Sequence, residues 1–101
     1  MKKLIALYTI PDDADAFMAH YTGVHLPLVE KIPGLVRAEV TRIDRTFVGE
    51  AGNFLLVEMA FADADSFKAA MKSPENAAVG ADLANFAAGR VTVMAGEALA
   101  G

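Results

Sequence analysis

Asn53-Phe54-Leu55-Leu56-Val57-Glu58-Met59-Ala60-Phe61 is the stretch on which the fold turns. Leu55, Val57, Met59 and Phe61 fall on one face of a strand and Phe54 and Leu56 oppose them, so both faces need cover. Gly49-Glu50-Ala51-Gly52 turns the chain just before this run. Leu35 to Phe47, with Val, Ile and Thr among charges, reads as its hairpin partner, long and partly exposed. Glu58 stands out as a carboxylate in an apolar strand. Pairing with Arg37 or Arg42 on the neighbouring strand is the default expectation, and facing a cavity as a ligand contact or simply facing solvent are the alternatives.

Working outward, Leu4 to Ile10 is a second apolar run of strand-forming residues, closed by Pro11. Asp12 and Asp13 can cap a helix carrying Ala14, Phe17, Met18 and Tyr21 at three- and four-residue spacing, with Gly23 as its expected stop. His25 to Ile32 reads as a further helical piece with Pro27 in its first turn, ended by Pro33-Gly34. Beyond the hairpin, Asp63 caps a helix with Phe67, Ala70 and Met71 on one side, and Ser73-Pro74-Glu75 restarts it with Val79, Leu83 and Phe86 as its buried stripe. Gly89 ends that helix, and Val91 to Met94 begin a last strand. The order is β-α-β-β-α-β, an α+β, ferredoxin-like arrangement of one antiparallel sheet with helices on one face, in a single domain over residues 1–101. Helices cover one face only, so the other predicts a second copy of the same sheet.

Composition closes several classes of function. Of 101 residues, 54% are hydrophobic and 22% charged, enough apolar mass for a core. Nine basic residues against 13 acidic give a net charge of −4, which removes the usual electrostatic drive toward nucleic acid or anionic membrane. No cysteine is present, so thiolate chemistry, disulfides and iron–sulfur sites are excluded. No apolar segment reaches the length of a membrane span, and the opening residues make a poor export signal, so a cytoplasmic location is expected. The glycine spacing fits neither phosphate-binding nor dinucleotide-binding loops, and Ser66 and Ser73 sit at helix starts, where capping explains them.

The two histidines of the chain fall together in His20-Tyr21-Thr22-Gly23-Val24-His25-Leu26-Pro27-Leu28-Val29. Two imidazoles, a phenol and a helix break beside apolar residues make a candidate for proton transfer, because histidine titrates near neutrality. His25 is the candidate base or acid, Tyr21 a donor to developing oxyanion charge, and His20 a second proton carrier or orienting group. Tyr8, Phe17 and Leu28 are the candidate apolar ligand contacts. The competing reading makes Tyr21 a core aromatic and the histidines caps for backbone groups. Two histidines with no clustered carboxylate are too few for a catalytic metal, so none is expected.

The same window, Phe17 to Val29 followed by Ile32-Pro33-Gly34-Leu35, resembles the EthD family of the dimeric α+β barrel superfamily. The family pattern is a Tyr, then His-x-Pro-Leu, then a Pro-Gly turn into the second strand, and all of it is present. The resemblance implies a homodimer whose two four-stranded sheets face each other as a barrel. It places the family's His-x-Pro-Leu histidine at His25 and its preceding tyrosine at Tyr21. It implies acid/base chemistry without a cofactor, such as isomerisation, dehydration or oxygenation, on a small aromatic, polyketide-like or lactone intermediate. The alternatives are a carrier of a hydrophobic metabolite and a dimer with no ligand. Haem members of the superfamily ligate iron from a later helix, and residues 63–89 hold no histidine here, so haem is not expected.

Overall fold

The computed structural model describes residues 1–101. Four strands form: β1 (Lys2–Thr9), β2 (Leu35–Arg42), β3 (Asn53–Phe61) and β4 (Val91–Glu97). They associate in the order β2-β3-β1-β4 with every neighbouring pair antiparallel. The two runs that are apolar on both sides therefore hold the centre of the sheet, where both edges are hydrogen-bonded and both faces demand cover. Helices α1 (Ala14–His20) and α2 (Leu26–Val29) follow β1, and α3 (Ala64–Met71) and α4 (Pro74–Phe86) follow β3. The chain is thus an α+β, ferredoxin-like fold, as the sequence predicts. Asp13, Asp63 and Ser73 cap α1, α3 and α4, accepting the amides of Ala16, Ser66 and Asn76 at 3.0, 2.8 and 3.1 Å.

Register assigns the faces. Leu4, Ala6 and Tyr8 lie opposite Met59, Val57 and Leu55 on β3, and opposite Ala95, Val93 and Val91 on β4, on the side of the helices. Ile5, Leu7, Leu56 and Met94 share the other face, which no element of this chain covers.

Four details differ from the sequence reading. Phe54 does not oppose Leu55. A bulge where Tyr8 pairs with Leu55 but Thr9 with Asn53 inserts Phe54 as an extra residue, and its ring turns inward to pack edge-on against Phe17 at 5.6 Å. β2 ends at Arg42, and residues 43–52 are a loop in which Gly49 and Gly52 take positive φ. Glu58 pairs with Lys3 across β1 at 2.9 Å, while Arg42 lies over the Phe54 ring at 4.9 Å. Gly23 does not end a helix: α1 runs through a wide π-helical turn, Tyr21–His25, directly into α2.

Candidate functional site

The π turn builds the site. The Leu26 amide donates to the Tyr21 carbonyl five residues back, so one extra residue is accommodated in the helix. Pro27 gives this turn a physical motive, since a proline ring clashes with the carbonyl four residues earlier in a regular α-helix. The consequence is geometric. Residues five apart, splayed by about 140° on a regular helix, are brought toward one face by the wide turn. His20 and His25 are five apart, and both reach the same partner.

That partner is Asp82, a residue outside the predicted site. It lies on α4 between Val79 and Phe86 and is 6% exposed. His25 Nδ1 stands 2.9 Å from Asp82 Oδ2, and His20 Nε2 stands 3.0 Å from both carboxylate oxygens. Burial pushes the Asp82 carboxyl upward, but hydrogen bonds and charge from His25 and His20 outweigh it and hold the group below its ordinary value. Asp82 is therefore ionised at neutral pH and can only accept. Both facing ring nitrogens carry protons, which fixes neutral His25 as the Nδ1–H tautomer with its Nε2 lone pair available. Burial lowers the pKa of His25 below the ordinary histidine value; Asp82 opposes that shift and His20 adds to it. Phe86 lies against both imidazoles, with ring centroids 4.6 Å from His20 and 4.9 Å from His25.

His25 and Tyr21 open onto a cavity of about 190 Å³ between the helices and the sheet. Its walls include Leu4, Ala6 and Tyr8 of β1, Val57 and Met59 of β3, and Val79 and Leu83 of α4. The Tyr21 ring lies beside His25, centroids 5.4 Å apart and planes tilted by 44°, and its hydroxyl is buried with no hydrogen-bond partner. Such a group costs roughly 1–3 kcal/mol where nothing satisfies it. Burial raises the pKa of both Tyr8 and Tyr21, so both phenols stay protonated.

Of the residues singled out from sequence, His25, Tyr21 and Tyr8 line this cavity. His20 bonds the same carboxylate but does not line the cavity. Phe17 joins the aromatic cluster with Tyr8, Tyr21 and Phe86, and Leu28 packs at the edge of the core; neither reaches the cavity wall. Glu58 lies on the uncovered face of the sheet. The clustered carboxylate that sequence reading found missing is Asp82, yet no group of three or more His, Cys, Asp or Glu is arranged to hold a metal ion. No helix is long and apolar enough to cross a membrane.

A family model described as the EthD domain matches residues 12–90. An uncharacterized 11.0 kDa protein of Rhodococcus erythropolis, from the thcB-thcC intergenic region, is 33% identical over 94 residues, 93% of this chain and 91% of that protein. The crystal structure of an EthD family protein from Bacillus halodurans superposes with a TM-score of 0.92 at 44% identity, covering 98% of this chain and 99% of that one. A dimeric ferredoxin-like protein of unknown function from Thermobifida fusca superposes with a TM-score of 0.69 at 18% identity, covering 96% of this chain and 90% of that one, a likeness of fold alone.

Proposed function

The chain belongs to the EthD family, and from that premise and the cavity beside His25 we propose that it is a cofactor-independent acid/base catalyst acting on a small oxygenated ring compound. The observation that carries the reading is the pairing of a base and a donor at one apolar wall. His25, held by Asp82 at 2.9 Å through Nδ1 so that Nε2 is the nitrogen left for chemistry, lines the same cavity as Tyr21, whose buried hydroxyl has no partner.

The chemistry follows from those atoms. Nε2 of neutral His25 takes a proton from a carbon next to a carbonyl; the C–H electron pair becomes a C=C bond and the carbonyl π pair moves onto oxygen. Tyr21 donates its O–H to the oxyanion that develops there. Returning the proton to a different carbon completes an isomerisation; expelling a hydroxyl from the next carbon as water, with the same proton, completes a dehydration. Asp82 holds the imidazole in the working tautomer and stabilises its cation, and His20 braces both carboxylate oxygens as a positioning residue.

Two copies of the chain form the working assembly in this reading, joined through the uncovered face. Ile5, Leu7, Leu56 and Met94 on that face are the support, since an apolar patch of this kind is ordinarily covered. The dimeric ferredoxin-like neighbour is in accord with it.

The test is hydrogen exchange at carbon in D₂O, followed by NMR with cyclohex-2-enone as probe. Wild-type protein is expected to speed deuterium incorporation next to the carbonyl, and His25→Ala is expected to remove that effect. Binding of the probe with no change in exchange rate would favour the carrier reading instead.

A further inference from the structure

We infer that the cavity beside His25 and Tyr21 takes an uncharged compound of a single ring bearing a hydrogen-bond-accepting oxygen, and rejects carboxylates, phosphates and fused-ring systems. This deepens the reading above and rests on it for the location of the site. Size sets the first limit. An apolar cavity of about 150 Å³ holds a benzene molecule, so about 190 Å³ matches one ring with a short substituent, and a second or third fused ring would have to project through the mouth of this partly open cavity or displace its walls.

Charge sets the second limit. The polar side chains on the wall are those of Tyr8, Tyr21, His25 and Asn76, and no lysine or arginine lines it. A bound anion would be buried without a counter-charge, and ionised Asp82, one imidazole away, would repel it further.

Hydrogen-bond chemistry sets the third. The Tyr21 hydroxyl has no partner in the protein, and the amide of the Asn76 side chain is engaged by the Met71 carbonyl at 3.4 Å. Tyr21, 0% exposed, therefore asks for an acceptor that a ligand brings to it by shifting the wall around the hydroxyl, while Nε2 of the Nδ1–H tautomer of His25 asks for a hydrogen. The two rings line one cavity with their centroids 5.4 Å apart, so a single ring-sized ligand can lie against both. An α-hydrogen-bearing cyclic or aryl ketone, a small lactone or an enol meets both.

Four probes test this by NMR of methyl-labelled methionine. Met59 and Met71 line the cavity and report binding, and Met94 on the opposite face of the sheet is the internal control. Acetophenone is expected to bind and shift Met59 and Met71 while leaving Met94 unmoved. Benzoate, the same ring with a charge, and 9-acetylanthracene, the same ketone on three rings, are expected to bind at least tenfold more weakly. Tyr21→Phe is expected to weaken acetophenone about 2- to 10-fold, the range for one hydrogen bond. Ethylbenzene, which lacks the oxygen, should bind that variant at least as well as wild type, which also shows that the variant is folded. Equal binding of benzoate, tighter binding of 9-acetylanthracene, indifference of acetophenone to Tyr21→Phe, or no binding of acetophenone would each overturn the inference. Acetophenone binding without any His25-dependent exchange of cyclohex-2-enone would instead overturn the catalytic reading and leave the ligand class standing.

Discussion

Asp82 is the residue on which the site depends, and it is the one the sequence hides best. A carboxylate in a helix of mixed composition reads as solvated, and the stripe of Val79, Leu83 and Phe86 accounts for the buried face without it. The available signal is its spacing, three after Val79 and four before Phe86, which puts it on that same face. His20, Tyr21 and His25 are legible because rare, titratable residues cluster within six positions. Replacing Asp82 with Asn keeps the shape but removes the charge and the obligatory acceptor. Turnover is expected to fall by roughly 10²–10⁴-fold with the fold retained, as circular dichroism would show. His20→Gln, which keeps a donor near the Nε2 position, should retain more activity than His20→Ala; equal loss in both would deny the bracing role.

At the scale of elements, the π turn and the bulge are the two features the sequence leaves open. A glycine after a helical run ordinarily signals a stop, yet Gly23 has no positive φ and the helix passes straight through it. What overrides the local signal is tertiary: Tyr21 and His25 are buried and His25 is fixed on Asp82. A β-carbon at Gly23 would meet nothing within 4 Å, so Gly23→Ala is expected to raise stability by roughly 0.5–1 kcal/mol, seen as a higher denaturation midpoint. Phe54 likewise departs from strict alternation because a bulge is set by pairing with a distant strand, which local periodicity does not record. The central places of β1 and β3 are in keeping with their two-sided apolar character, which is legible in the sequence.

At the scale of the molecule, two consequences follow. The uncovered face predicts association, and Leu7→Glu, placed mid-strand on that face, is expected to convert a dimer to monomers in sedimentation. Persistence of the dimer at the same concentration would place the interface elsewhere. Acid stability is the second. His25 and Asp82 both have lowered pKa values in the folded chain, so the unfolded chain binds more protons on the acid side. Stability is full above the ordinary histidine value of 6.5 and is lost as pH falls through the lowered value of His25; a second loss begins near 3.8 and runs through that of Asp82. His25→Phe is expected to flatten the first loss in chemical denaturation measured across pH.

The central claim is that Asp82 holds His25 as a neutral base with Nε2 free toward the cavity. Nitrogen-15 NMR of the imidazole rings, titrated from pH 8 to pH 4, reads both the tautomer and the titration directly and needs no substrate. The expected result is an Nδ1–H tautomer of His25 at neutral pH with a midpoint below 6.5, and loss of that tautomer preference in Asp82→Ala. A protonated Nε2 in the neutral ring, or a midpoint above 6.5, would contradict it.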